Sequence, residues 1–199
     1  VGLTTFDGAM TAGSVTTGAV AFAGGSITTS AGQSYGQAML DRNITLADTA
    51  GGAITFLSTL NGANALTLSD AGGTVTFLGA VGNQVPLASL TATAVGLTTF
   101  GNTVTAGSVA TGPVAFDGGG VTTTAGQTYG TATLGSNTTL ADTSASAITF
   151  AGMLDGARRL TIIDAGGAVT FANAVGSMAP LASLSATAAT LTFDGTIGV

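Results

Sequence analysis

The chain has 199 residues with nine Asp against three Arg, a net charge of −6, and no His, Cys, Trp, Lys or Glu. So few cations leave no electrostatic footprint for nucleic acid or for an anionic membrane surface, and without His or Cys neither a His-based triad nor a His or Cys metal site can be built. Thr (37), Ala (36) and Gly (32) make up more than half of the residues, too little bulk to fill a broad core at native density, so the core must be narrow.

In chain order the sequence is a series of short apolar-x-apolar pieces broken by turn residues. Gly2-Leu3-Thr4-Thr5-Phe6 opens it, and Val20-Ala21-Phe22 follows. Ile54-Thr55-Phe56, Leu66-Thr67-Leu68 and Val75-Thr76-Phe77 come next, separated by Asn61-Gly62 and Asp70-Ala71-Gly72-Gly73. Alternation with period two puts the apolar side chains on one face and Thr on the other, the signature of a brief strand. No window shows the three-and-four spacing of a helix. Apolar runs are all interrupted well before the length of a membrane helix, and the strands are too short for a spanning barrel.

The same order then repeats. Gly2–Phe6 returns as Gly96–Phe100, Thr45-Leu46-Ala47-Asp48-Thr49 as Thr139–Thr143, and Pro86–Leu90 as Pro180–Leu184, an offset of 94 that holds without a gap. Of 94 aligned positions 59 are identical. Residues 2–95 form one unit, 96–189 a second, and 190–199 the start of a third, in one continuous architecture. An immunoglobulin-like sandwich of this size would need longer strands and more inward bulk. The spacing of Phe6, Tyr35, Phe56, Phe77, Phe100, Tyr129, Phe150, Phe171 and Phe193, mostly 21 to 23 residues with 29 between Phe6 and Tyr35 and between Phe100 and Tyr129, instead predicts an all-β solenoid with about four coils per 94-residue repeat. Those nine rings form its internal stack, adding ring contacts to area burial. The two long intervals hold Val20-Ala21-Phe22 and Val114-Ala115-Phe116 and predict a widened coil or a protruding hairpin. No signal peptide is visible and neither end is capped by charge, Pro or a helix. The chain therefore reads as mature protein or an excised piece whose coils continue in a longer protein or stack end to end on another copy.

With Ala53–Phe56, Leu66–Leu68, Asp70–Phe77, Gly79–Gly82 and Pro86–Leu90 and their counterparts 94 residues on, the chain resembles the repetitive β-strand regions of very large bacterial secreted proteins, of the filamentous-haemagglutinin and autotransporter-passenger kind. The resemblance implies a right-handed β-helix rod, extracellular or on the bacterial cell surface, used for adhesion, spacing or matrix building.

The remaining side chains are read against that background. Asp48 and Asp70 recur as Asp142 and Asp164, whereas Asp7, Asp41, Asp117 and Asp155 have no Asp counterpart, so the carboxylates are scattered singly and read as turn formers. One carboxylate per turn is too few for calcium. The Thr-x-Thr pairs Thr91-Ala92-Thr93, Thr103-Val104-Thr105 and Thr131-Ala132-Thr133 are not kept in the other copy, which argues against a lattice-matching array. Arg158-Arg159, in place of Asn64-Ala65, reads as a solvated turn. The expectation is a structural segment, an adhesin shaft, stalk or self-assembling filament subunit. It is not an enzyme, has no catalytic, cofactor or metal site, and has itself as partner, with neither nucleic acid nor membrane insertion. The alternative is a carbohydrate-binding or carbohydrate-cleaving β-helix acting on host or matrix carbohydrate, which an Asp cluster with Tyr or Arg on one face would support.

Overall fold

The computed structural model describes residues 2–92 and 96–199. Every strand pairing among them is parallel, and the chain winds as a β-solenoid of about 9 turns. The triplets behave as their alternation requires: in Ile54–Phe56 and Val75–Phe77 the apolar residues are buried while the central Thr is half exposed. Each strand is only a few residues long because a corner must follow it, and Gly supplies the tightest corners. At Gly62, with φ of 127°, a Cβ would lie 2.3 Å from the Leu40 carbonyl oxygen on the coil below.

Three faces run the length of the rod. On the first, Thr4–Phe6 pairs with Val20–Phe22, then Ala38–Leu40, then Leu60–Asn61, and single bridges carry the ladder through Val81 to Val104. From Val104 it continues through Gly120–Thr123 and Thr138–Asp142. The second face runs from Met10–Thr11 through Ser26–Thr29, Ile44–Asp48, Ala65–Asp70 and Leu87–Ala92. It passes into Val104–Thr111 and on to Gln127–Tyr129 and Ile148–Phe150. The third runs from Val15–Thr17 through Gln33–Tyr35, Ile54–Phe56, Val75–Phe77 and Thr98–Phe100 to Val114–Phe116 and Ala132–Leu134. The long strands Val104–Thr111, Arg159–Phe171 and Ser183–Phe193 bend across a corner and serve the first and second faces together.

This register corrects the expectation of four coils per repeat. Thr4 leads to Val20, Ala38, Leu60 and Val81, which is four full turns. Two more faces are then crossed before the chain reaches Thr98, the counterpart of Thr4, on the third face. A unit therefore spans four and two-thirds turns, and equivalent residues of successive units sit on different faces. The widened coil or hairpin expected between Phe6 and Tyr35 is also corrected. The coil there is narrowed, with Thr4 and its partner Val20 only 16 residues apart, against 24 from Leu66 to Leu90. Short Gly-rich corners make this possible. Val20–Phe22 and Val114–Phe116 are fully paired strands of the rod.

Inside, all eleven aromatic residues of the chain form one ladder. The nine rings named from spacing all belong to it, and Phe22 and Phe116 join them. Ring centroids are 4.9 to 6.1 Å apart from Phe6 to Phe193. Most neighbours stack or tilt along one face, as Phe56 does on Phe77 at 5.0 Å and 5°. The ladder changes face twice, at Phe22–Tyr35 and Phe116–Tyr129, and there the rings meet edge-on at 80° and 83°. Such contacts add roughly 0.5–1.5 kcal/mol each beyond area burial.

Candidate functional site

The most elaborate polar constellation is internal and occurs twice. In the first unit Thr29 ends Ser26–Thr29, Gln33 and Tyr35 belong to Gln33–Tyr35, and Asp48 ends Ile44–Asp48 on the next coil. The register pairs Thr29 directly with Asp48. The Thr29 hydroxyl donates to Asp48 Oδ2 at 2.7 Å, and so does Gly32 N at 2.8 Å. Ala50 N and Gly52 N donate to Oδ1 at 3.1 and 2.7 Å. Gln33 Nε2 donates to the Ala47 carbonyl at 2.8 Å and to Thr29 Oγ1 at 3.1 Å, and its Oε1 accepts from the Tyr35 hydroxyl at 2.9 Å. The second unit rebuilds this with Thr123, Gly126, Gln127, Tyr129 and Asp142, on faces one step round the rod. Thr29, Gln33, Asp48, Thr123, Gln127 and Asp142 are all buried.

A corner inside a stacked coil strands backbone N–H groups that no ladder can pair, and the Asp collects them. Burial alone would raise the Asp48 and Asp142 carboxyls, but the Thr hydroxyl and three backbone N–H groups outweigh it and hold both below the usual value. Burial pushes the hydroxyls of Tyr35 and Tyr129 upward, so each remains a donor. The arrangement satisfies its own donors and acceptors and leaves no open position for a substrate.

Other polar side chains do similar work. Asn61 Oδ1 accepts from Gln84 N and Val85 N, and Asp155, which replaces it, accepts from Met178 N and Ala179 N at 2.8 and 3.1 Å. Asp7, Asp41 and Asp117 are exposed. Arg158 and Arg159 lie exposed at their turn, with Arg158 Nε donating to the Gly135 carbonyl at 2.9 Å. An open groove of about 830 Å³ lies between Asp7, Gly24, Arg42, Asn43 and Asn64, but Asn43 and Asn64 already serve the Ala65 amide and the Leu40 carbonyl. Among the described residues no three His, Cys, Asp or Glu are grouped to hold a metal, and no helix is long and apolar enough to cross a membrane.

The Thr-x-Thr pairs are not brought together. Thr91 is on the second face, with Thr93 outside the described residues, Thr103 and Thr105 flank Val104 on the first, and Thr131 and Thr133 flank Ala132 on the third. What the register does align is single Thr residues: Thr45, Thr67 and Thr91 in successive coils, and Thr128, Thr149, Thr170 and Thr192 further along the same face. Outward Thr is what a strand facing solvent favours.

Sequence reasoning missed Phe22 and Phe116 as members of the ladder, the Thr partner of each buried Asp and the Gln that bonds to that Thr. The signal was present: Thr28-Thr29-x-Ala31-Gly32-Gln33-x-Tyr35-Gly36 recurs as Thr122 to Gly130, and polar residues kept between two apolar strands mark a buried corner. The chain matches no protein-family model, no curated protein and no solved structure.

Proposed function

We propose that this chain is a structural rod segment of a bacterial cell-surface or extracellular protein, a shaft, stalk or filament subunit that acts through its shape and through contact with further coils or copies of itself. One observation carries the reading: the most elaborate polar groups, the Thr-Gln-Tyr-Asp corners, are buried and turned inward to close the coil, Asp48 and Asp142 being engaged by four donors each. Little is left for binding or catalysis, while the aromatic ladder runs through the whole rod. The resemblance to filamentous-haemagglutinin and autotransporter-passenger repeats points the same way and carries with it a right-handed coil, the hand that parallel crossovers strongly favour. About 9 turns at the strand spacing of ~4.8 Å make a rod of roughly 45 Å.

Negative-stain electron microscopy over a range of protein concentrations tests this, together with binding to a panel of polysaccharides. The expected result is straight rods or filaments and no saturable sugar binding. Saturable binding or cleavage of a polysaccharide, lost when Asp7 and Arg42 are replaced, would transfer the function to the open groove and end the structural reading.

A further inference from the structure

The register stacks two carboxyls inside each unit. Asp70 pairs with Asp48 across the strand ladder. Asp164 follows Ile163, which pairs with Ala141, and so lies over Asp142. All four are buried, Asp70 and Asp164 at 1% and 0% exposure. Their surroundings differ sharply. Asp48 and Asp142 have two donors on each oxygen. Asp70 receives one bond, from Gly73 N at 3.0 Å, and its Oδ2 has no partner; neither oxygen of Asp164 has one.

Among the described residues, the groups that face them supply no positive charge. Asp164 has Asp142 beneath it, Ala188 in register above and Gly167 at its turn. Asp70 has Asp48 beneath it and Gly73 at its turn. Arg42, Arg158 and Arg159 are exposed at surface turns. An anion buried beside another anion, with lone pairs unmet, is costly. The neutral acid removes the repulsion and gains an O–H donor. A metal would find few ligands, because all acceptor positions of Asp48 and Asp142 are filled.

We propose that Asp70 and Asp164 are proton sites of the fold: on mild acidification each takes up a proton that the unfolded chain binds only at lower pH, so acid tightens the rod before it loosens it. Burial is the chief cause raising both carboxyls, with the neighbouring Asp48 or Asp142 adding to it; the Gly73 N–H works the other way at Asp70, and the nearby Gly167 N–H, which forms no hydrogen bond of good geometry, does so at Asp164. A carboxyl raised in the folded state contributes its full stability below the unfolded value of about 3.9 and loses it as pH rises through the folded value. Asp48 and Asp142, lowered, contribute above the unfolded value and lose that contribution as pH falls through theirs. The two kinds of site together place maximum stability near the ordinary carboxylate value.

The test is thermal unfolding of the full chain from about pH 7 to about pH 4, comparing wild type, D70N/D164N, and a D41N/D117N control that removes the same charge from exposed positions. Wild type and control should gain a few degrees on acidification, on the order expected for a domain of this size, and D70N/D164N should lose that gain. A wild-type melting temperature that is flat or falls over this range overturns the proposal, as does a D70N/D164N protein that keeps the gain. An equal rise on adding calcium chloride to wild type at neutral pH, abolished in D70N/D164N, would make the sites metal sites and also overturn it. Should D70N/D164N not fold, carbon-13 titration of the nine Asp carboxyls in wild type decides the matter. Two resonances titrating above the rest support the proposal, and none doing so defeats it.

Discussion

The two repeat units are close copies in sequence and differ in where they sit. In the first, the Thr29–Asp48 corner lies on the second face; in the second, Thr123–Asp142 lies on the first face. Yet the hydrogen bonds agree closely: 2.7 and 2.8 Å from Thr to Asp, 2.8 and 2.8 Å from Gly N, and 2.9 and 2.9 Å from Tyr to Gln. The ring contacts agree as well, with Phe56–Phe77 and Phe150–Phe171 both at 5.0 Å and 5°. The corner and its ladder are thus a self-contained module that works on whichever face the winding delivers it to. A face of this solenoid is defined by its neighbours and has no composition of its own.

If that equivalence is real, matched substitutions in the two units should cost the same. The largest effect is expected from Phe56→Ala and Phe150→Ala, each removing a fully buried ring from the middle of the ladder at roughly 3–5 kcal/mol. Urea unfolding would read it, and a difference of more than about half between the two would show that the modules depend on their face. Next come Asp48→Asn and Asp142→Asn, which turn an amide N–H₂ toward backbone donors and leave them unmet, at about 1–3 kcal/mol near neutral pH. The gap from wild type should close as pH falls through the lowered carboxyl value of the native protein. Melting curves over a pH series would expose a gap that stays open. Tyr35→Phe and Tyr129→Phe orphan one buried Gln oxygen and should each cost about 1 kcal/mol; loss of no stability in either would mean the hydroxyl is replaced by other donors.

The smallest expected effect breaks the symmetry. Gly51, with φ of 82°, is replaced in the second unit by Ala145, which holds φ of 61°. A left-handed conformation strains any residue with a Cβ. Ala145→Gly is therefore expected to stabilise by up to about 1 kcal/mol and Gly51→Ala to destabilise by a similar amount. Opposite signs in calorimetry are the check.

Much of this fold was legible. Alternation in Ile54-Thr55-Phe56 and Val75-Thr76-Phe77 identified strands because a pleated backbone sends successive side chains to opposite sides. The spacing of nine rings revealed the coil because a stacked ladder needs one ring per turn. The same assumption concealed Phe22 and Phe116: a coil of 16 residues and a change of face fall within what looks like one long interval. Asp48 and Asp142 were legible as turn formers because the carboxylates are scattered singly, and two of the four donors each collects are indeed local, but the other two come from a neighbouring coil, as with Thr29 and Gly32, 19 and 16 residues from Asp48. Only partners adjacent in sequence can be read without knowing the winding.

The sequence by itself determined the local units: short strands, Gly and Asp corners, inward rings, outward Thr and the 94-residue period. These follow from chemistry within a few residues of each position. The tertiary structure alone decided how many corners make a turn, hence the four and two-thirds turns per repeat, the passage of equivalent residues from face to face, and the stacking of Asp70 on Asp48 and Asp164 on Asp142. Those depend on which coil lies above which, and a triplet that fits any face carries no record of the one it will occupy.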